Sequence, residues 1–480
     1  MGLKAWVSCP GSRSPLEEKF VTASPEDNVY DLVILGAGSG GYAAALRGAQ
    51  LGLSIALIEA DKLGGTCLHR GCIPTKALLH SAEVADTIHE SAAVGVNSSF
   101  QGIDMATVNS YKDAVVGRLY KGLQGLVKAG KIDYITGWGR LTAKDTVEVD
   151  GTPYRGRNVL LASGSYARSL PGLEIGGRVI TSEQALQLES VPKSVIVLGG
   201  GVIGVEFASV WKSFGADVTI IEALPNLVPN EDVALSKALE RAFRKRKIAF
   251  HTGTRFSGVK QTDSGVVVST EDGKTLEADL LLVAVGRGPA TANLGYEEQG
   301  VPMERGFVLT NERLHTGVAN IYAVGDIVPG LQLAHRGFQQ GIFVAEEIAG
   351  LNPPAIVESG IPRVTYCEPE VASVGLTEAQ AKEQHGEVET VEFNLAGNGK
   401  SQILKTTGFV KLVRQKDGPI VGVHMIGARV GELIGEGQLM VNWEAYPEDV
   451  ASLVHAHPTQ NEAIGEAALA LAGKPLHSHN

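Results

Sequence analysis

Cysteine is scarce in this chain: four residues in 480, at positions 9, 67, 72 and 367. Spacing suggests no partner for Cys9 or Cys367, which excludes the disulfide framework of a small secreted protein. Long apolar runs are missing too, and none is uninterrupted enough to span a bilayer. Positive charge is in deficit, with 42 Lys and Arg against 53 Asp and Glu and a net charge of −11, which argues against nucleic acid as a partner. The densest basic patch, residues 241–247, reads as a solvated helix face. Residues 1–28 lack an apolar signal core, and their mixed charges, among them Glu17, Glu18, Glu26 and Asp27, fit a transit peptide poorly. This stretch is expected to be a mobile arm carrying Cys9 as an incidental thiol, and the chain to be cytoplasmic. No metal site is expected.

An internal repeat organises what is present. Residues 30–35 lead as an apolar strand into Gly36-Ala37-Gly38-Ser39-Gly40-Gly41, and residues 194–198 lead into Gly199-Gly200-Gly201-Val202-Ile203-Gly204. An Ala-rich helical stretch follows each, then a second strand, 54–58 or 217–221, which ends in Glu59 or Glu222. In both units the acid stands 23 positions after the first glycine. Strand, G-x-G-x-x-G, helix, strand and terminal acid together identify dinucleotide-binding units, although the glycine motif alone is weak. Gly36, Gly38 and Gly41, like Gly199, Gly201 and Gly204, provide the tight turn, the close approach of a pyrophosphate and the helix–strand contact. The helix N-terminus stabilises the phosphate charge. Glu59 and Glu222 are suited to accept hydrogen bonds from ribose hydroxyls. A 2′-phosphate in the second unit would meet Glu222 with no Arg or Lys from 223 to 233 to offset it, so NAD is expected there and not NADP.

Soon after the first unit comes Gly64-Gly65-Thr66-Cys67-Leu68-His69-Arg70-Gly71-Cys72-Ile73-Pro74-Thr75-Lys76. Thiols five positions apart meet only if the chain turns back, as in the first turn of a helix, and the glycines permit the tight approach. A helix start also favours a thiolate through its unpaired N–H groups and dipole, so the pair reads as reactive. Small-residue turns end the apolar strands at Gly164 and Gly286, and residues 320–326 form another strand ending in Asp326. From about residue 361 the pattern changes to alternating strands, 408–413 and 420–425, and helical stretches, 431–444 and 448–454. The last informative run is His455-Ala456-His457-Pro458-Thr459-Gln460-Asn461-Glu462, in which an acid can orient and charge a histidine.

In this order the elements resemble the pyridine nucleotide–disulfide oxidoreductases over residues 29 to about 475, and within that family the branch that oxidises dihydrolipoamide. The resemblance rests on the two nucleotide units, Cys67 and Cys72 with Lys76, Glu206 and Glu222, Gly325-Asp326, and His457-Pro458-Thr459 with Glu462. It implies an α/β fold with two Rossmann-like dinucleotide-binding domains and a C-terminal α+β dimerisation domain. The expected boundaries are 29–167 for the FAD-binding domain with its redox disulfide, 168–289 for the NAD-binding domain, 290–360 for a central FAD-binding segment and 361–480 for dimerisation. Cofactors implied are FAD and NAD. Partners implied are a second copy of the chain and the lipoyl domains of 2-oxo acid dehydrogenase acyltransferases or of glycine cleavage.

Roles follow from the resemblance residue by residue. Cys67 is the interchange thiol and Cys72 the thiol against the flavin. Lys76 sits near flavin N5, paired with Glu206, and Asp326 and Ala334 meet the flavin. His457 is the acid–base of an active site shared across the dimer, with Glu462 holding its tautomer. The bland alternatives are a surface lysine for Lys76, a helix cap for Glu462, and structural roles for His455 and His335. His69-Arg70 and Thr75 depart from the commoner family form, which puts the charge and potential of the site in question. Glutathione-type relatives use NADP and an aromatic lid where this chain has Glu222 and Val202, and relatives with a C-terminal redox tail carry cysteines that residues 473–480 lack. The alternative reading is a related NAD(P)H-dependent reductase of another small disulfide.

Overall fold

The computed structural model describes residues 29–477; the segment 1–28, Cys9 included, and residues 478–480 lie outside the described residues. Three sheets carry the fold. The first has a parallel centre in which Val29–Leu35 pairs with Ile55–Glu59 on one side and with the second half of Thr152–Leu161 on the other. Asp133–Thr136 extends one edge, and Ile321–Ala323 returns from beyond the second unit to pair with Thr152–Leu161 at the other. Leu32, Val33 and Ile34 are fully buried, as expected of a parallel strand covered on both faces.

The second sheet repeats this plan. Ala249–His251, Asp217–Ile221, Ser194–Leu198, Leu280–Val283 and Val179–Ile180 lie side by side, all parallel. Between the two units run long helices, Cys72–Glu90 and Met105–Ala129; Asp104 caps the second by accepting from the N–H groups of Ala106 and Thr107.

The third sheet is antiparallel, in the order Arg363–Thr365, Glu370–Gly375, Ile420–Gly427, Phe409–Gln415, Val388–Asn394. Ala372, Val374, Val410, Leu412, Val423 and Met425 share one core with the helices Val430–Asn442 and Glu462–Leu471. Because side chains alternate along a strand, the intervening Ser373, Lys411 and His424 lie on the opposite face, and they too are buried.

The basic patch corrects one expectation. Arg241, Arg244 and Lys245 are exposed on the helix Val233–Lys245, but Arg246, just past its end, turns inward. Its guanidinium donates to Asp86 at 2.9 Å, to the hydroxyls of Ser209 and Ser213 at 2.7 Å, and to the Glu368 carbonyl at 3.0 Å. A half-buried acid, two hydroxyls and a carbonyl outweigh solvation of that one cation.

Candidate active site

The thiol loop is built onto the first glycine loop. Gly64 and Gly65 both have positive φ, the Gly64 N–H donates to the Ala37 carbonyl at 2.8 Å, and a Cβ on Gly65 would stand 2.6 Å from the Cα of Gly38. Only glycine permits that approach. The short helix Gly65–Arg70 then carries Cys67, and a break at Gly71 starts the helix Cys72–Glu90. The thiols therefore flank a helix break and do not share one turn, because Gly71 takes a non-helical conformation between them. Cys72 is the first residue of the longer helix, where unpaired N–H groups favour negative charge.

Both thiols are free and face each other. The hydrogen bond from Cys67, followed by the Lys76 ammonium, pulls Cys72 below the usual thiol range; the same hydrogen bond, with burial, pushes Cys67 well above it. The pair is polarised so that Cys72 favours negative charge and Cys67 keeps its proton more tightly. His69 and Arg70 do not reach it: His69 Nε2 bonds the Leu63 carbonyl at 2.9 Å and Arg70 pairs with Asp61.

Lys76 lies one helical turn beyond Cys72. Its Nζ donates to both oxygens of Glu206, at 2.8 and 2.9 Å, and Glu206 is only 2 % exposed. Burial would lower the lysine's pKa, but Glu206 outweighs it and the net direction is up. Glu206 also accepts from the Tyr366 N–H at 2.9 Å, and the ammonium lies 4.7 Å from the centre of the Tyr366 ring. A solvated surface lysine has none of these contacts.

The two nucleotide loops are near-copies. A Cβ on Gly36 would stand 2.3 Å from the Ala162 carbonyl oxygen, and one on Gly199 2.3 Å from that of Ala284. At Gly41 and Gly204 it would stand 1.8 and 1.9 Å from the carbonyl oxygens of Gly36 and Gly199. The chain's own backbone thus demands the first and third glycines. At Gly201 nothing lies within 4 Å and at Gly38 only Gly65 does, at 4.0 Å, which leaves the open cradle a pyrophosphate needs. Glu59 accepts from the Ala37 N–H at 2.7 Å, and Glu222 from the Gly200 N–H at 2.6 Å, so each acid stands at the mouth of its loop. These donor sets fit dinucleotides.

Gly164 and Gly286 occupy equivalent turns after the central strands, with φ of +77° and +106° and open space around them. Asp326 accepts from the Ser165 hydroxyl, which in turn takes the Arg287 Nε at 2.8 Å. Ala334 opens the helix Ala334–Ile348, whose first turn has no side-chain cap. That helix lies tight on Ser39–Gln50, since a Cβ on Gly341 would stand 2.2 Å from the Gly40 oxygen. His335 is spent on the Pro362 carbonyl, at 2.8 Å.

His457 Nδ1 and Glu462 Oε1 are 2.7 Å apart, and Glu462 Oε2 accepts from the Thr459 N–H at 2.8 Å. Burial pushes the Glu462 carboxyl up, and Thr459 and His457 together overcome it, for a net lowering. Glu462, the first residue of the helix Glu462–Leu471, thus ties the histidine to the backbone just ahead of that helix and does not cap it. The His457 side chain is 78 % exposed, and none of its hydrogen bonds goes to Cys67 or Cys72 of the same chain. Leu439, Trp443, Leu453 and Val454 of the same domain are exposed apolar residues. His455, by contrast, is mostly covered, with its Nε2 2.8 Å from Glu436 and its ring against Gly465.

Sequence reasoning missed Tyr42 and Tyr366. Burial, then the nearby thiols, push the Tyr42 hydroxyl up to about 12; only its place next to Gly41 hinted at this. Nothing local marks Tyr366 as a neighbour of Lys76.

Comparison with known proteins agrees with this architecture. Residues 30–341 match the pyridine nucleotide-disulphide oxidoreductase family, and residues 361–468 match its dimerisation domain. The chain is 42 % identical to a dihydrolipoyl dehydrogenase of Bacillus subtilis, covering 93 % of this chain and 99 % of that one. It is 39 % identical to the mitochondrial dihydrolipoyl dehydrogenase 2 of Arabidopsis thaliana, over 96 % and 94 % of the two chains. The crystal structure of LpdA from Mycobacterium tuberculosis superposes with a TM-score of 0.86 at 25 % identity, over 92 % of this chain and 99 % of that one.

Proposed function

The chain belongs to the pyridine nucleotide-disulphide oxidoreductases, and from that premise we propose that it is a dihydrolipoyl dehydrogenase, oxidising dihydrolipoamide to lipoamide and reducing NAD. It works as a homodimer with FAD and NAD. The observation that carries the reading is the polarised thiol pair, seated against the first glycine loop with Lys76–Glu206 beside it. The first unit, Glu59, Asp326 and the uncapped start of Ala334–Ile348 would hold FAD, and Gly199–Gly204 with Glu222 would hold NAD.

The proposed chemistry begins with Cys67 and Cys72 joined as a disulfide. His457 of one subunit, oriented through Nδ1 by Glu462, takes a proton from a dihydrolipoyl thiol at Nε2. The resulting thiolate attacks Cys67, the Cys67–Cys72 bond breaks, and Cys72 leaves as a thiolate stabilised by Lys76 and its helix start. The second lipoyl sulfur closes on the first and displaces Cys67, which takes the proton His457 already holds; His457 then receives the second thiol's proton and releases it to water, so the substrate loses two electrons and two protons and the cysteine pair gains two electrons and one proton. A flavin held beside Cys72 would supply the two-electron chemistry that links the thiols to hydride transfer; return of the pair to its disulfide gives up two electrons and the Cys67 proton, together the hydride equivalent that NAD gains. Glu206 keeps Lys76 charged beside the thiolate throughout. We place the chain in the cytoplasm, serving lipoyl domains of 2-oxo acid dehydrogenase or glycine cleavage systems.

Steady-state rates test the assignment. Dihydrolipoamide with NAD should turn over at least a hundredfold more efficiently than glutathione disulfide with NADPH, and the reverse order would replace this reading by the small-disulfide reductase.

A further inference from the structure

The buried face of the dimerisation-domain sheet carries a polar row. Arg363, Ser373, His424 and Lys411 are register partners across four neighbouring strands. Three of them grip two consecutive acids of the second nucleotide unit. Arg363 Nε donates to Glu231 at 3.1 Å, the Ser373 hydroxyl donates to the same carboxylate, and Lys411 Nζ donates to Asp232 at 3.0 Å. Lys411 is 3 % exposed and Asp232 1 %. The grip is closed by Glu378, whose carboxylate takes Lys411 at 2.7 Å and whose N–H donates to Asp232 at 2.9 Å.

Glu231 and Asp232 end the segment that follows Glu222, and the other end of that segment forms part of the nucleotide loop. The Val228 N–H donates to the Gly200 carbonyl at 2.8 Å, and the Leu227 side chain packs so closely that a Cβ on Gly200 would stand 2.6 Å from it. Val228 has φ +42°, a left-handed conformation that a β-branched residue adopts only when its surroundings impose it. Packing within the unit holds it from one side, since Leu227 and Val228 are buried in a common core and the Ser236 hydroxyl donates to the Val228 carbonyl at 3.3 Å; beyond it a cleft of about 710 Å³ opens, lined in part by Pro229, Asn230 and the clamping residues Glu231, Asp232, Arg363 and Glu378. The ion pairs to the dimerisation domain are a second restraint, and the Glu231 N–H, which donates to the Val228 carbonyl at 3.0 Å, links them to the turn.

We propose that Lys411, with Arg363 and Ser373, is a positioning group for NAD: by clamping Glu231 and Asp232 it holds the strained Leu227–Val228 turn against Gly200 and so presets the nucleotide loop. The dimerisation domain then sets affinity for a nucleotide it does not touch. This rests on the assignment of NAD to the Gly199–Gly204 unit.

The test uses the FAD-loaded dimer and measures NADH binding by fluorescence, the Michaelis constant for NAD, and the rate of flavin reduction by dihydrolipoamide in the absence of NAD. Lys411→Met should weaken NADH binding and raise the Michaelis constant about tenfold while flavin reduction stays within twofold of wild type. Ser373→Ala, which leaves no buried charge unpaired, should give the same pattern at about threefold, and it decides the matter if Lys411→Met does not fold. Gly201→Ala, in the open cradle, is the control for the site. NADH binding unaffected by Gly201→Ala would overturn the nucleotide assignment itself. Loss in Gly201→Ala with unchanged NADH binding in both clamp variants would overturn the clamp alone, as would an equal fall in both half-reactions, which marks a general structural defect.

Discussion

Lys76 meets Glu206 through two hydrogen bonds although 130 residues separate them, and Lys76 stands one helical turn beyond Cys72. Lys76→Met should remove the cation that helps to hold Cys72 down and so raise its pKa. Titration of the thiolate-to-flavin charge-transfer band after adding dithiol measures this. Cys72→Ser should abolish the band with FAD retained, and a persistent band would remove Cys72 from the flavin side.

A site shared between subunits predicts rescue between dead variants. His457→Gln and Cys67→Ser homodimers should each lose nearly all activity. Unfolded and refolded together in equal amounts, they should recover roughly a quarter of wild-type activity, since about half the dimers are hetero and each holds one intact site. Heterodimers seen by mass spectrometry without recovered activity would put the whole site in one chain.

Nucleotide choice should follow Glu222. Glu222→Arg should weaken NAD and improve NADP, with a shift in discrimination of roughly 1–3 kcal/mol for one such contact. The ratio of kcat/KM for the two nucleotides reports it, and a wild type equally efficient with NADP would contradict the role.

Glycines of one motif should fail in different ways. A Cβ at Gly204 strikes the Gly199 carbonyl at 1.9 Å, so Gly204→Ala should cost ~1–3 kcal/mol or more of stability in denaturant unfolding. Gly201→Ala meets no protein atom and should cost less than ~1 kcal/mol while losing NADH affinity.

His424 is fully buried, donates through Nε2 to the Leu376 carbonyl at 2.9 Å, and has no partner at Nδ1. Burial lowers its pKa below the ordinary 6.5, so below that pH the unfolded chain holds the extra proton and stability falls as pH falls. Between pH 7.5 and 5.5 the wild type should therefore lose more unfolding free energy than His424→Gln. Equal losses would show that His424 does not titrate on unfolding.

The two nucleotide units were legible because their chemistry is local. The strands Ser194–Leu198 and Asp217–Ile221 fall where the apolar runs put them, and Glu59 and Glu222 close their own loops. The His457–Glu462 pair was legible for the same reason, lying five positions apart. Contacts between distant elements were not. Alternation in Phe409–Gln415 reads as a strand with one solvated face, yet Lys411 is buried, because the second nucleotide unit supplies Asp232 to receive it. Arg246 looked solvated for the same reason: Asp86, 160 positions away, is invisible in the residues around it.

The likeness of the two glycine loops bears on how the protein can be inhibited. Each presents the same glycines, the same open cradle and an acid at the same offset, so a compound that imitates only the adenosine diphosphate half of a dinucleotide finds two equivalent berths in every chain. Selectivity between them has to come from the other half of the molecule. Beside the first loop stand the thiol segment and, following it, Lys76, and an inhibitor that reads those groups would tell the berths apart.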